Sequence, residues 1–319
     1  MGRKLRAVRA WVVVMAMMTC LAFSAFPALG QQPEDDPWQP TVDNPAYAEG
    51  QGPLVLVDEA HGNYHTIDGN FQAFAELLRN DGLRVQGSDQ PITVELLENV
   101  DIFVIANALS GGHDAEWHLP IPSAFSAEEI AVLDQWVRDG GALLLIADHM
   151  PFPGAAADLA EAFGVIFING FARGPDPDTR TLTFDLSSGL LADHPLIRGR
   201  NDAEGLDSVT SFTGHAFRAV TPVEVLMRMP DDWVVLLPSE AWEFEDDTPR
   251  VSARGLIQGA VLRHGSGRFA VFGEAAMFTA QSRVRDGETV RVGMNSPDAP
   301  NNRQFVLNVM RWLSGLIED

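Results

Sequence analysis

From residue 54 onward the chain alternates short runs of consecutive apolar residues with stretches in which apolar residues recur at helical spacing. Leu54-Val55-Leu56-Val57 is a β-branched run ending in Asp58. Phe71, Phe74, Ala75, Leu77 and Leu78 then fall on one helical face, with Asp68 or Asn70 as the expected N-cap and Asn80-Asp81-Gly82 as the stop. Leu83-Arg84-Val85 resumes a strand, residues 91–99 form a short helix, and Ile102-Phe103-Val104-Ile105-Ala106 is a fully apolar strand. Ser126 with Glu129 three residues later is a capping-box signature, which predicts a helix over 127–138 closed by Asp139-Gly140-Gly141. Another apolar strand covers 142–147, followed by a helix over 155–163 and a strand over 165–168.

Residues 171–250 are less regular. They hold an edge strand over 181–184, a turn-helix segment at His194-Pro195-Leu196, and short strands over 223–227 and 233–236. Residues 255–263 and 268–272 read as a strand pair joined by His264-Gly265-Ser266-Gly267. Residues 301–316 form an amphipathic helix with Phe305, Val309, Trp312 and Leu313 on its inner face. Continuous apolar strands separated by helices mean a parallel sheet covered on both faces. With no internal repeat and no interdomain linker, the expectation is an α/β fold. It is a doubly wound, mostly parallel sheet forming a single domain over 52–319 with an elaborated second half.

The first thirty residues depart from this pattern. Arg3, Lys4, Arg6 and Arg9 precede an uncharged apolar run over 11–26, Pro27 breaks it, and Ala28-Leu29-Gly30 fits small-x-small cleavage before Gln31. These are the parts of a signal peptide over 1–30. Exported, periplasmic or extracellular localisation follows, with no membrane insertion once the signal is removed. A retained segment would instead be an N-terminal membrane anchor, because the run is nearly long enough to span a bilayer. Thr19 before Cys20 departs from the small residue of a lipoprotein box. Residues 31–51, rich in Pro, Asp and Gln, form an extended leader.

A hydrophobic content of 46% is that of a globular chain with a sizeable core. The net charge is −22, and removal of the signal takes it to −26, since that segment holds four cations and no anion. Such a surface aids solubility and repels nucleic acid and anionic headgroups, so no nucleic-acid partner is expected. The single cysteine, Cys20, lies in the signal. The mature chain therefore lacks a disulfide, a thiol nucleophile and a cysteine metal ligand.

In open parallel sheets, ligands bind beyond the carboxyl ends of the strands. The first strand ends in Asp58-Glu59-Ala60-His61, followed by Asn63 and His65. The next apolar strands end in Asn107, in Asp148-His149, and in Gly273-Glu274. His61 and His65 are four apart, the spacing that places two imidazoles on one helical face for a metal, although Gly62-Asn63 between them is loop chemistry. Imidazole and carboxylate ligands would suit a divalent ion, zinc or manganese. The alternative is that one histidine bonds the backbone and the other is solvated. Asp148 and His149, at a strand-to-helix turn, occupy the place of a nucleophile or general base, or Asp148 fixes the turn. Glu274 at the end of a buried strand needs a partner, a proton or a metal. His215 is a further ligand-binding candidate. His113 and His118 flank an Asp-Ala-Glu-Trp loop that either covers the site or stands exposed, His194 is structural, and His264 lies exposed in a Gly-rich turn. No P-loop, no GxGxxG after a strand and no GxSxG elbow occurs, so no nucleotide cofactor is implied.

VLVDEAHGNYHT, FSAEEIAVLDQWVRDGGALLLIADH, ADHPLIRG, GSGRFAVFGEAAMFTA and NNRQFVLNVMRWL span most of the chain after residue 54. In their order and spacing the chain resembles the class I glutamine amidotransferase-like superfamily. The likeness is to its secreted branch, related to trehalose-utilisation-like proteins and to the extracytoplasmic domain of gliding-motility transport proteins. The resemblance implies a flavodoxin-like sheet and a pocket at the strand ends. Amidotransferases of the superfamily carry a cysteine at a sharp strand-to-helix turn. Here that turn carries Asp148-His149, so glutaminase activity is not implied. One expected function is a domain that binds a small polar or carbohydrate-type ligand, or an extracytoplasmic protein partner, at this edge. The alternative is a hydrolase, metal-assisted or using Asp148 with His61 or His149 as acid and base, with Glu274 in the same site. A membrane-tethered partner of a transport complex is a third reading.

Overall fold

Among the described residues, nine strands build the central sheet. They are β1 (Leu54–Asp58), β2 (Arg84–Ser88), β3 (Ile102–Ala106), β4 (Ala142–Ile146), β5 (Val165–Phe167), β6 (Phe217–Ala219), β7 (Glu224–Arg228), β8 (Ile257–His264) and β9 (Gly267–Phe272). The computed structural model describes residues 34–35, 38–112, 115–176, 179–285 and 288–318. The signal segment, its cleavage junction, Cys20 and His113 lie outside the described residues. The sheet order is β2-β1-β3-β4-β9-β8-β6-β5, with β7 also paired to β8. The first five strands are parallel, and β8 turns back antiparallel to β9. Order 2-1-3-4 followed by a fifth parallel strand is the flavodoxin-like arrangement, here with the last parallel strand supplied after a long insertion.

The expected doubly wound sheet follows from residues that alternate between two apolar layers. Val55, Val57, Ile102, Val104, Leu144 and Ile146 face helices α1 (Gln72–Asn80) and α3 (Asn302–Leu313). Leu56, Phe103, Ile105, Leu143 and Leu145 face α2 (Ala127–Arg138) and the short helix Ala157–Ala162. All five residues of β3 and of β4 are buried, as a strand covered on both faces requires. Complete burial of each Leu or Ile there is worth about 1.5–3 kcal/mol before chain entropy is counted.

Helix α2 has the predicted box: Ser126 Oγ accepts from the Glu129 amide at 3.2 Å, and Glu129 Oε2 accepts from the Ser126 amide at 3.0 Å. Helix α1 does not use its predicted caps. It starts from Phe71 without a side-chain cap, while Asn70 Nδ2 donates to the Tyr64 carbonyl and ties down the preceding loop. The predicted helix over 155–163 is two pieces, Phe152–Ala155 and Ala157–Ala162. Pro153, in the first turn where no amide is needed, lets helix begin earlier than the apolar spacing suggested. Helix α3 is not amphipathic in place. Every residue from Phe305 to Leu313 is buried, because the turn Asp202–Glu204 and the segment around Asn44 cover its outer side. Arg311 on that side is held by Asp81 at 2.6 Å and Glu204 at 3.1 Å.

The second half adds small antiparallel sheets. Phe171–Arg173, Val234–Leu236 and Arg250–Ser252 form one, and Leu182–Asp185 pairs with Ser208–Ser211. The hairpin Ala280–Arg285 and Glu288–Gly293, which pairs with Glu34–Asp35, was not foreseen. Its alternation of charged and small apolar residues is that of a strand with one wet face. Residues 38–51 lie on the body of the domain: Trp38, Val42 and Tyr47 pack against its core, and Tyr47 Oη bonds Ser314 Oγ at 3.0 Å. Among the described residues no helix is long and apolar enough to cross a membrane.

Candidate functional site

The polar residues at the strand ends separate into two groups. The first lies beyond β1. Asp58, almost fully buried, takes His61 Nδ1 at 2.8 and 2.9 Å on its two oxygens and Asn63 Nδ2 at 3.0 Å. His61 Nε2 lies 3.0 Å from Glu129 Oε1, and its ring packs on Phe125 at 4.6 Å. Gly62 makes the turn possible: its φ is +61°, and a Cβ there would meet the Leu109 carbonyl oxygen at 2.3 Å. Burial opposes a charge on His61, but Asp58 and Glu129 outweigh it and raise its pKa. Burial likewise works against the Glu129 carboxylate, yet hydrogen bonds from Ser126, His61 and the Ile92 amide hold its pKa down, at about 2. An imidazolium between two carboxylates has no lone pair to offer. His61 therefore joins β1 to the first turn of α2.

His65 points elsewhere. It is buried against Phe71 at 4.8 Å and Tyr64 at 5.8 Å, its Nδ1 has no partner, and burial lowers its pKa to about 3. The expected pairing of His61 and His65 on zinc or manganese does not fit this donor set. Both nitrogens of His61 are occupied by carboxylates, and His65 sits among aromatic rings. The loop at Gly62-Asn63 breaks the helical register that the spacing presumed. Among the described residues no group of three or more His, Cys, Asp or Glu side chains converges for a metal ion. Glu59 also serves the loop, its Oε1 accepting from the Ile67 amide at 2.7 Å.

The second group lies beyond β4 and β9. Asn107, in the left-handed region at φ 49°, connects the two groups: its Oδ1 accepts from the Asp148 amide at 2.8 Å and its carbonyl accepts from Tyr64. Asp148 Oδ1 accepts from the His149 amide at 2.8 Å and from Thr213 Oγ1 at 3.4 Å, so Asp148 does fix the turn. His149 Nδ1 is 2.7 Å from the Met150 carbonyl. A carbonyl only accepts, so Nδ1 holds the proton and Nε2 carries the lone pair of the neutral ring. Burial lowers the His149 pKa against the pull of Asp148, and Arg173 and Arg180 add to the lowering. The ring stacks on Phe171 at 4.7 Å and meets Trp242 edge-on at 4.5 Å.

His215 and Glu274 are fully buried beside them. His215 donates Nδ1–H to the Asp148 carbonyl at 3.0 Å, leaves Nε2 without a partner, and is held neutral by burial with a pKa of about 3. Glu274 accepts from the Ala276 amide at 3.0 Å and the Met277 amide at 2.8 Å. Burial first, and Asp148 second, raise its pKa well above the usual carboxylate value, against the pull of the Met277 and Ala276 amides.

Arg173 belongs to this group and was missed in the sequence. It is 4% exposed, Nη1 donates to the Ala172 carbonyl at 2.9 Å, and Nη2 has no partner. Its guanidinium lies 5.2–5.7 Å from the rings of Phe171, Trp242 and Phe244. Burial lowers its pKa to about 10. Cation–π contacts return about 0.5–2 kcal/mol each, whereas an unpaired buried charge costs several kcal/mol. Arg180, exposed, packs on the same Trp242 ring at 5.4 Å. The available signal was an arginine in the otherwise apolar Phe171-Ala172-Arg173 run of a strongly acidic chain.

Two segments close over this group. The Ala241 amide donates to the Trp117 carbonyl at 2.8 Å and the Leu119 amide to the Ser239 carbonyl at 2.8 Å, which brings Trp117 and Trp242 together above His149. The Asp-Ala-Glu-Trp loop thus contributes a cover through Trp117, while His118 stands exposed and bonds Glu116 at 2.7 Å. Where a pocket was expected, these residues form a covered polar interior. Two surface hollows, about 420 Å³ beside Tyr47 and Gly82 and about 520 Å³ beside Val94 and Gly141, open at the amino ends of the strands instead. His194 is structural, capping Pro195–Arg198 by accepting from the Leu196 amide at 3.1 Å. His264 is not exposed: its Nε2 bonds Asp134 Oδ1 at 2.6 Å.

No family model and no curated protein matches the chain. Among solved structures, the mmIFT52 N-terminal domain is similar with a TM-score of 0.55 and 16% identity, over 82% of this chain and 97% of that domain. Identity at that level shows a shared fold alone. A ThuA-like protein from Bacteroides uniformis aligns at TM-score 0.43 and 12% identity, over 87% of this chain and 95% of its own. One from Parabacteroides merdae aligns at 0.44 and 9%, over 83% and 90%.

Proposed function

We propose that this chain is an exported binding module that holds a small polar ligand beneath Trp117 and Trp242, at the carboxyl ends of β4 and β9. The observation that carries this reading is a set of unmet polar atoms on neighbouring groups: Arg173 Nη2 and His215 Nε2 lack partners, and His149, which lies within electrostatic reach of both residues, keeps the lone pair on Nε2. Buried polar groups are normally paired, and a cluster of unpaired ones is what a ligand would complete. Export rests on the signal-like residues 1–30, and the mass of the protein recovered outside the cytoplasm tests it. The binding test is a thermal-shift panel of monosaccharides, polyols and small organic acids on the wild type and on His149→Ala. A compound should raise Tm in the first and lose most of its effect in the second. A panel without any response, or responses unchanged in His149→Ala, would count decisively against the reading.

A hydrolase is the second reading, and His149 favours it. Its Nδ1 is locked to a carbonyl, its Nε2 is available as a general base, and Asp148 adjoins it. His61 has no role in that scheme, since both of its nitrogens are engaged. Turnover of an activated ester that disappears in His149→Gln at unchanged Tm would favour the hydrolase over the module.

A further inference from the structure

We infer that the ligand of this site carries a carboxylate, bound by Arg173 with Arg180 against the aromatic wall of Phe171 and Trp242. The inference rests on the binding-module reading and adds the charge of the ligand. Arg173 is enclosed, and among the described residues no carboxylate lies within salt-bridge distance of it or of Arg180. The chain has twice as many acidic as basic residues, so two arginines on one aromatic cluster, with no acid at salt-bridge distance among the described residues, run against its composition. The other groups beside them supply one negative charge at most. Asp148 acts on Arg173 through its charge from beyond salt-bridge distance, and its Oδ1 is taken up by the His149 amide and Thr213. His149 and His215 are neutral at working pH, and Glu274 is turned toward the amides of Ala276 and Met277.

Geometry narrows the class. Arg173 Nη1 is already bonded to the Ala172 carbonyl, which leaves the Nη2 side for the ligand. Arg180, itself exposed, adds a second cation 5.4 Å from the centre of the Trp242 ring. With Asp148 as the one acid whose charge reaches Arg173, the two arginines leave an excess of one positive charge, which a monoanionic carboxylate neutralises. The rings of Trp242 and Phe244, inclined at 59° and 86° to that of Phe171, join it in giving the body of the ligand an apolar surround of ring edges and faces.

The test uses the full chain and two matched pairs of probes, glucuronate with glucose and benzoate with benzamide, read by tryptophan fluorescence and by Tm. The expected result is saturable binding of at least one acid, with its neutral counterpart at least tenfold weaker. Arg180→Gln, a surface change that should fold, should weaken the acid about tenfold, and Arg173→Lys more. Which acid binds tells a sugar acid from an aromatic one. Equal binding of an acid and its neutral counterpart overturns the inference while leaving the binding-module reading intact, as does an unchanged acid affinity in Arg180→Gln. No response to any of the four probes counts against both.

Discussion

His61 Nε2 meets Glu129 Oε1 at 3.0 Å, so an imidazole from the loop after β1 closes on the same carboxylate that caps α2. The contact turns a local helix cap into a long-range tie. Asp58 on the other ring nitrogen completes it, and the site nearest the sheet's topological switch is thereby made rigid rather than reactive.

The tie should be visible in the pH dependence of stability. The folded pKa of His61 is raised above 6.5, so its contribution is complete below that value and is lost as pH climbs through the folded one. Glu129 works in the other direction: its folded pKa of about 2 lies below 4.5, so its contribution is complete above 4.5 and is lost as pH falls toward 2. His61→Gln should cost about 2–4 kcal/mol at pH 6, because it leaves two carboxylates close together without the cation. The cost should shrink above neutrality. Urea midpoints of both proteins from pH 5 to 9 check this, and parallel curves would refute the imidazolium.

On the acid side His65 and His215 should dominate. Each has a folded pKa of about 3, so the unfolded chain takes up a proton near 6.5 that the folded chain refuses. Stability therefore drops as pH falls from 6.5 toward 3, by up to about 1.4 kcal/mol per pH unit for each histidine. His65→Phe, which fits the surrounding rings and removes an unpartnered nitrogen, should remove one proton from this slope at little cost near pH 7. Denaturation between pH 4 and 7 measures the slope, and an unaltered slope in the variant would mean that His65 is protonated when folded.

Glu274 makes a prediction that most buried carboxylates would not. Because its folded pKa is raised, its ionisation penalises the folded state as pH rises above 4.5. Glu274→Gln cannot ionise, but it keeps an oxygen for only one of the two backbone amides and sets its own NH2 against the other. It should be less stable than the wild type at pH 4.5, by about 1–3 kcal/mol, and close that gap toward pH 8. Urea midpoints from pH 4.5 to 8 check this, and a gap that stays constant would show that Glu274 is ionised in the fold throughout.

These relationships were unevenly legible. The parallel strands, the box at Ser126 and Glu129, and the polar residues at the carboxyl ends could be read because each depends on a pattern within about a dozen residues. The division of those residues into two groups could not, because it depends on partners far away: Glu129 is 68 residues from His61, and Thr213 is 65 from Asp148. Arg173 escaped for the same reason. An arginine in a short strand looks like a snorkelling edge residue until Trp242 and Phe244, from a distant loop, are placed over it.

Asn107 holds the two groups in register, and its substitutions should rank in a defined order. It sits at φ 49°, where a side chain beyond glycine is strained by about 1 kcal/mol unless, like asparagine, it bonds locally. Its Oδ1 is also the acceptor for the buried Asp148 amide, whose loss leaves that amide unmet at about 1–3 kcal/mol. Asn107→Gly relieves the first effect and suffers the second, while Asn107→Ala suffers both. Asn107→Asp keeps the acceptor oxygen but adds charge near Asp148. Chemical denaturation at pH 7 should place alanine lowest, about 2–4 kcal/mol below the wild type, with glycine between. If alanine and glycine were equally destabilising, backbone conformation would have no part in how Asn107 aligns β3 with the Asp148–His149 turn.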